Sequence, residues 1–256
     1  MKVLLITAAG TSSRFSHSLG KPCLKCIYSP ADITESLLYR MLRRDTAFDK
    51  YIIVGGFMYE QLERVLEQDF SEFGNRIVLV RNEKYEEYGS GYSLYQGLQE
   101  AMKLDFDEVI FAEGDLYVDE DSFREVSGCV KDVITCSSGP ILADKAVAFY
   151  YDREYRIHYI YDTSHSMLEI KEPFRGIFHS GQVWKFAQSD RVRRTYADME
   201  EQDWQGTNLV FVEKYFQMLA QNEYELVQFK QWINCNTIAD FEKIPHGTAR
   251  QNKTEK

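Results

Sequence analysis

The sequence lacks long apolar segments, an abundance of cysteine and a basic charge. No apolar run approaches the roughly 20 residues that a membrane-spanning helix requires, so no membrane span and no membrane partner is expected. Five cysteines are an odd number in a chain too large to need disulfide bridges, which favours a reducing compartment and predicts a cytoplasmic protein. The net charge of −10 argues against nucleic-acid binding, although a local pocket for a small anion can still be basic.

Several common site motifs are also missing. Cys23 and Cys26 form one C-x-x-C pair, but neither a second pair nor a histidine pair at metal-ligand spacing accompanies it, so zinc or redox chemistry is a minor alternative. The sequence contains no G-x-G-x-x-G dinucleotide fingerprint. A Walker loop is excluded because Gly10 and Lys21 are too far apart and Pro22 occupies the Ser/Thr position.

What is present is typical of a soluble globular protein, with 44% hydrophobic and 27% charged residues. The 17 tyrosines and 16 phenylalanines make a ring-rich pocket or interface plausible. The stretch Val3–Ala9 is short for a secretion signal, so a strand of the mature protein is the favoured interpretation. We expect one domain over residues 1–245 and a polar, disordered tail over residues 246–256.

The first half alternates strand-like and helix-like segments in the order βαβαβαβ, which predicts a mainly parallel sheet with helices on both faces. After about residue 130, the pattern predicts an antiparallel pair, two helices and a further strand. The predicted strands are Val3–Ala8, Tyr51–Val54, Ile77–Val80, Glu108–Ala112, Asp132–Cys136, Ala146–Tyr151, Tyr155–Tyr161 and Tyr224–Phe229. The predicted helical segments of the second half are Asp190–Met199, Thr207–Ala220 and a last turn at Asp240–Ile244.

Ligands of such sheets lie outside the carboxyl ends of the strands. The loop after the first strand belongs there and offers a glycine turn at Gly10, followed by Arg14 and Lys21. Backbone N–H groups and two cations can hold phosphates, but from the spacing alone an ordinary exposed turn is the favoured interpretation. Asp115, after the fourth strand, is favoured as a metal ligand over a helix cap.

Three motifs resemble a known enzyme family. Ala8-Ala9-Gly10-Thr11-Ser12-Ser13-Arg14-Phe15, followed by Lys21-Pro22-Cys23-Leu24, resembles the amino-terminal motif of nucleotidyltransferases that activate sugars and alcohols. The segment Asn82–Leu98 is similar to bacterial choline-phosphate cytidylyltransferases, and the similarity continues through Asp115, Ser180-Gly181 and Asn236–Glu242. The resemblance implies a Rossmann-like mixed, mainly parallel α/β sheet with an antiparallel insert on the substrate side, the nucleotide-diphospho-sugar transferase type.

The resemblance also implies a role for each matching position. The nucleotide would be bound by Ala8, Ala9, Gly10, Thr11, Ser12, Ser13, Arg14, Lys21 and Ser93. Catalysis would depend on Lys21, Arg14 and Asp115, and Mg²⁺ would be bound by Asp115 and Asn236. Within the acceptor-side elements at about residues 140–210, the acceptor would meet Ser180, Gly181, Trp184 and Trp204.

The reaction implied is attack of an acceptor phosphate or phosphonate on CTP, with phosphocholine or 2-aminoethylphosphonate as acceptor types and pyrophosphate as the leaving group. Ser12 replaces a family glycine, which costs about 1 kcal/mol if its φ is positive. The Gly89–Gly91 turn and the segment Trp204–Thr207 also depart from the family pattern. The alternatives are a sugar-1-phosphate nucleotidyltransferase, a more distant glycosyltransferase, and an inactive nucleotide-binding domain.

Overall fold

The apolar run near the amino terminus forms a strand in the middle of a large sheet. The computed structural model describes residues 1–143, 147–161 and 167–245. Its strands are β1 (Lys2–Ala8), β2 (Lys50–Gly55), β3 (Ile77–Arg81), β4 (Glu108–Glu113), β5 (Leu116–Val118), β6 (Asp132–Ser137), β7 (Ala148–Tyr151), β8 (Ile157–Tyr159), β9 (Gly176–Phe186), β10 (Tyr224–Phe229) and β11 (Trp232–Asn234). Its helices are α1 (Ser13–Leu19), α2 (Leu37–Arg43), α3 (Tyr59–Asp69), α4 (Ser90–Ala101), α5 (Glu120–Gly128), α6 (Ser189–Ala197), α7 (Glu201–Gln205), α8 (Leu209–Gln217) and α9 (Ile238–Phe241). No helix in these ranges is long and apolar enough to cross a membrane.

The main sheet has the strand order β10-β6-β9-β4-β1-β2-β3. Strands β3, β2, β1 and β4 pair in parallel, as do β6 and β10. Strand β9 lies antiparallel between β4 and β6, and β7 and β8 continue from it as antiparallel strands. The predicted fold class, a mixed and mainly parallel sheet with an antiparallel insert, is confirmed.

Helices cover both faces of this sheet because successive residues of a strand point to opposite sides. Leu5 of β1 packs in one apolar cluster with Leu98 of α4. Its neighbour Leu4 packs in a second cluster with Leu38 of α2. Each cluster buries one face of the sheet, as the near-continuous apolar run in β1 predicts.

Strand β9 is the main element that the sequence pattern does not predict. Its buried residues include the polar side chains of Ser180, Gln182 and Lys185, which interrupt the apolar run. Lys185 is tolerated because its Nζ lies 2.9 Å from a carboxylate oxygen of Glu108 and donates to the Ser127 carbonyl at 3.0 Å. Buried charges of this kind need such partners, which a sequence pattern does not reveal.

The other predicted elements are found with small shifts. The predicted strand Ala146–Tyr151 is β7, which begins at Ala148, and the predicted last turn begins earlier, at Ile238, because Thr237 caps α9. Ala146 and the predicted tail at 246–256 lie outside the described residues.

A short antiparallel ribbon connects two distant parts of the chain. Strand β5 directly follows Asp115, β11 comes shortly before Asn236, and the two strands pair Leu116 with Asn234. The N–H of Cys235 donates to the carbonyl oxygen of Asp115 at 2.8 Å. The ribbon therefore brings Asp115 and Asn236 to the same edge of the main sheet.

Candidate active site

A cavity of about 290 Å³ lies at the carboxyl ends of β1 and β4. The loop after β1, the start of α4 and the residues after β4 form its walls. Among the residues predicted to bind nucleotide or metal, those that line it are Ala8, Ala9, Gly10, Thr11, Ser12, Ser93 and Asp115. This is the edge at which parallel sheets bind ligands.

The turn into α1 is built around Ser12, whose φ is 52°. This left-handed conformation costs about 1 kcal/mol for a residue other than glycine. The buried Ser12 hydroxyl accepts a hydrogen bond from the N–H of Lys25 at 3.3 Å, which offsets part of that cost. Ser13 begins α1, is exposed, and bonds through its hydroxyl to that of Thr11 at 2.6 Å. The first N–H groups of α1 have no partners within the helix and form its positive end.

Four side chains from distant segments meet beside this turn. Nζ of Lys25 lies 2.6 Å from Oδ2 of Asp115 and 3.4 Å from Oδ1 of Asn236. Nη2 of Arg14 donates to the same Asn236 oxygen at 2.9 Å. Two cationic side chains and two side-chain oxygens, which accept their hydrogen bonds, therefore converge on one point. We refer to Arg14, Lys25, Asp115 and Asn236 as the cation cluster.

Lys21 is not part of the cation cluster, contrary to the prediction that it acts beside Arg14. It is exposed and does not line the cavity, and it follows the left-handed Gly20, φ 77°, at which α1 ends. Lys25 begins a 3₁₀ turn, Lys25–Ile27, and its two neighbours in sequence, Leu24 and Cys26, are buried. The sequence feature that could have indicated Lys25 is its position between two apolar residues, Leu24 and Cys26, in the same loop as Lys21.

Glu113 lies beneath the cation cluster at the end of β4. One carboxylate oxygen accepts from the Thr7 hydroxyl at 3.0 Å, and the other accepts from the Asn208 side-chain amide. Burial, followed by the negative charge of Asp115, raises the pKa of Glu113 to about 7. The site therefore holds one carboxyl group that titrates near neutral pH next to the Asp115 carboxylate.

One wall of the cavity, at Gly89, is in direct backbone contact with a second glycine-containing segment. The N–H of Gly89 donates to the Gln205 carbonyl at 2.8 Å, and that of Gly91 donates to the Gly206 carbonyl at 3.0 Å. A Cβ on Gly89 would lie 2.2 Å from the Gly206 oxygen, so only glycine permits this approach. Beside this contact, the buried hydroxyl of Ser93 accepts from the Asn82 side chain at 2.9 Å.

A larger cavity, of about 850 Å³, adjoins the cation cluster on its other side. Arg14 and Asn236 line it, as do the rings of Trp232 and His179, whose centroids are 4.9 Å apart. Lys230 and Lys243 stand at its rim, and Asp240 is the one carboxylate among its lining residues in the described chain. Trp232 and His179 were not among the predicted site residues.

The residues predicted to bind the acceptor lie in the core instead. Trp184 is fully buried, stacks on Phe111 at 5.0 Å and donates to the Tyr159 hydroxyl at 2.6 Å. Trp204 is buried against Phe211 at 5.7 Å. Both indoles fill apolar space and face neither cavity, so their predicted contact with the acceptor is corrected.

Ser180 and Gly181 are buried in β9 and do not line the larger cavity either. The Gly181 carbonyl oxygen accepts from Nε1 of Trp232 at 2.8 Å. Gly181 therefore bonds to a side chain that lines the larger cavity, although it does not line the cavity itself.

The profile of a family described as "Domain of unknown function (DUF6564)" matches residues 21–248. Among curated proteins, none matches the sequence significantly. Similar solved structures include the CTP:phosphocholine cytidylyltransferase LicC from Streptococcus pneumoniae, which is 15% identical with a TM-score of 0.64, over 94% of this chain and 96% of that one. The inositol-1-phosphate CTP transferase from T. maritima is 18% identical with a TM-score of 0.65, over 97% of this chain and 98% of that one.

A third similar structure, a candidate glucose-1-phosphate thymidylyltransferase from Bacillus anthracis, is 16% identical with a TM-score of 0.60, over 97% of this chain and 98% of that one. The chain therefore shares, over almost its whole length, the fold on which these nucleotidyltransferases are built.

Proposed function

This chain belongs to the family described as "Domain of unknown function (DUF6564)", and we propose that it is a Mg²⁺-dependent nucleotidyltransferase that joins CTP to a small phosphate or phosphonate acceptor. The observation that carries the proposal is the cation cluster. Lys25, Asp115 and Asn236 meet near the carboxyl ends of the strands, beside the turn that contains Gly10. Such an arrangement suits a bound triphosphate, since it combines backbone donors, fixed cations and oxygen ligands.

The donor set of the cluster fits Mg²⁺. Asp115 and Asn236 present oxygens to one position, and a cation, the Lys25 ammonium, already lies within 2.6 Å and 3.4 Å of them. No group of three or more His, Cys, Asp or Glu residues in the described ranges could hold a metal alone. Mg²⁺ is usually held by one or two carboxylates together with substrate phosphates and water, so this small set is sufficient.

The chain's own residues would act by position and charge. An acceptor oxygen attacks the α-phosphorus of the nucleotide, a P–O bond forms in line, and the bond to pyrophosphate breaks. Lys25 and Arg14 would neutralise phosphate oxygens as charge moves to the leaving group. Mg²⁺, when bound at Asp115 and Asn236, supplies further neutralisation of phosphate charge. The acceptor is already an anion, so the attack needs little acid–base assistance.

The choice of CTP rests on the base side of the smaller cavity. The Asn82–Leu98 segment that resembles cytidylyltransferases forms this wall, with Ser93 held by Asn82 and the Gly89–Gly91 turn held by the Gln205–Gly206 backbone. Held in this way, the wall is pre-organised for reading a base. The cytosine preference is the part of the proposal that a nucleotide screen decides.

The acceptor would occupy the larger cavity, which shares Arg14 and Asn236 with the cation cluster. Arg14 and the rim lysines suit the acceptor's phosphate or phosphonate, and the Trp232 indole offers a ring for a cationic head group. A sugar phosphate is the alternative acceptor, because hydroxyl groups could bond to the polar side chains of this cavity. All five cysteines are free, which supports the proposed cytoplasmic setting.

Pyrophosphate release provides the test. Purified protein is incubated with CTP, UTP or dTTP, with phosphocholine, 2-aminoethylphosphonate or glucose-1-phosphate, and with Mg²⁺ or EDTA. We expect release with CTP and a phospho- or phosphono-amine, dependent on Mg²⁺, and its loss in Asp115→Asn with unchanged thermal unfolding. Faster turnover with a sugar phosphate and UTP or dTTP would move the assignment to a sugar nucleotidyltransferase. No release with any pair would leave an inactive nucleotide-binding domain.

A further inference from the structure

The side-chain amide of Asn236 has two different ends, and only its oxygen can face a cation. Oδ1 accepts from Arg14 at 2.9 Å and from Lys25 at 3.4 Å. Neither a guanidinium nor an ammonium group can accept a hydrogen bond, so the opposite amide orientation would direct N–H groups at two cations. The orientation of this amide therefore decides whether Asn236 can be a metal ligand.

Two further amides fix that orientation. Nδ2 of Asn236 donates to Oδ1 of Asn234 at 2.9 Å, and Nδ2 of Asn234 donates to Oε1 of Gln182 at 3.0 Å. The three amides thus form a chain in which Asn236 donates to Asn234 and Asn234 donates to Gln182. The cations at one end thus set the direction of every bond.

The backbone holds Asn234 and Gln182, the two amide residues beyond Asn236, in place. Asn234 lies on β11 and pairs with Leu116, the residue after Asp115. Gln182 is buried on β9, near the point where the pairing of β9 with β6 shifts register, and has a φ of 55°. Its N–H donates to the Ser180 hydroxyl at 3.2 Å. A residue other than glycine keeps such a strained conformation only where its surroundings hold it, and strain of this kind is concentrated at functional sites.

We propose that Asn234 and Gln182 are positioning residues that hold the Asn236 oxygen toward the metal of the nucleotide complex. Neither would be a metal ligand itself, and both would act on the metal through Asn236; Asn234 also lines the larger cavity, whereas Gln182 does not. The inference rests on the proposed function. Partners that orient a metal ligand in this way usually change metal affinity by about 10–100-fold when they are removed.

Mn²⁺ binding in the presence of CTP, without an acceptor, tests the inference independently of turnover. Free Mn²⁺ is measured by electron paramagnetic resonance in wild type, Asn234→Leu, Asn234→Asp and Gln182→Leu. Asn75→Leu is the matched control, because Asn75 is exposed and lines neither cavity. We expect Asn234→Leu to weaken Mn²⁺ binding by about tenfold or more. Gln182→Leu should weaken it less, and Asn75→Leu should not change it. Asn234→Asp should bind at least as tightly as wild type, because its carboxylate still accepts from Asn236.

A double mutant separates positioning from general damage to the site. In an Asn236→Ala background, Asn234→Leu should cause no further loss of Mn²⁺ affinity, because the amide that it orients is gone. Equal losses in both backgrounds, or loss in Asn234→Asp as large as in Asn234→Leu, would overturn the inference. So would unchanged binding in Asn234→Leu. A wild-type protein that binds no Mn²⁺ with any nucleotide would instead overturn the proposed function and, with it, this inference.

Discussion

Lys25 and Asp115 form an ion pair of 2.6 Å, although 90 residues of sequence separate them. Both side chains are mostly buried, at 18% and 21% exposed, so solvent screens the pair less than it would screen a surface pair. Under the proposed function, the Lys25 ammonium would neutralise the phosphates of a bound nucleotide at this position. When the proposed metal–nucleotide complex binds, Lys25 would exchange Asp115 for phosphate oxygens, and Asp115 would exchange Lys25 for the metal.

The two lysines of the amino-terminal loop give opposite predictions. Lys25→Ala should lower kcat by about 10²–10³-fold, the usual cost of one pre-organised electrostatic group. Lys21→Ala should change it by only a few-fold, because this side chain is exposed and away from the cavity. Steady-state pyrophosphate release measures both, and thermal unfolding checks that Lys25→Ala is folded. A large loss in Lys21→Ala with a small one in Lys25→Ala would return the role to Lys21.

Glu113 should make stability depend on pH in a defined direction. Its pKa is raised to about 7 in the folded protein from an ordinary 4.5, so the native state binds more protons between these values. The stabilisation is complete below pH 4.5 and is lost as pH rises through about 7. Glu113→Gln imitates the protonated form, since its amide can donate to Thr7 and accept from Asn208.

Urea unfolding of wild type and Glu113→Gln from pH 5 to pH 8, in EDTA, measures this effect. The variant should gain stability relative to wild type by about 2–3 kcal/mol as pH rises, and then level off. A difference that stays flat, or that falls with increasing pH, would show that Glu113 is ionised throughout.

Ser12 should tolerate glycine better than alanine. Ser12→Ala keeps the left-handed strain and removes the hydroxyl that accepts from Lys25, so unfolding free energy should fall by about 1–2 kcal/mol. Ser12→Gly loses the same bond but relieves the strain, so its stability should stay within about 0.5 kcal/mol of wild type. Chemical denaturation ranks the three proteins. Equal losses in both variants would mean that strain contributes nothing at this position.

Trp232 should contribute to recognition of a cationic acceptor. A desolvated cation–π contact is worth about 2 kcal/mol, so Trp232→Leu should raise the acceptor KM about thirty-fold and leave the KM for CTP nearly unchanged. Trp232→Phe keeps a ring and should lose less. Trp204→Leu is the matched control, because that indole is buried and its loss should lower thermal stability instead. An unchanged acceptor KM in Trp232→Leu would favour a sugar phosphate.

The sequence predicts the parallel half of the fold well because its inner strands are buried on both faces and carry nearly continuous apolar runs. Strands β1, β2 and β4 illustrate this. Strand β9 is missed because Lys185 and Gln182 interrupt its pattern, and their partners come from other elements. A pattern of apolar residues predicts a strand when all its buried side chains are apolar. It fails when buried polar side chains have their hydrogen-bond or ion-pair partners on elements that are distant in sequence.

The site shows the same division. The strand ends place Asp115 and the Gly10 turn at one edge, which topology alone predicts. Spacing along the loop could not distinguish Lys21 from Lys25, since the choice depends on how Gly20 and the following 3₁₀ turn redirect the chain. The indole of Trp184 suits either a core or a ligand pocket, so its burial had to come from the structure.

The β5–β11 ribbon also determines when the cation cluster can be complete during synthesis. Lys25 and Asn236 are 211 residues apart, and Asn236 can join the cation cluster only when β11 pairs with β5. Within the main sheet, β1 pairs with β2 and β2 with β3 over shorter stretches of chain, whereas β1 pairs with β4 over a stretch almost as long as that of the ribbon. Strands β1 to β4 all precede β11 in the chain, so an emerging chain can pair them before Asn236, one of the two proposed metal ligands, has been synthesised.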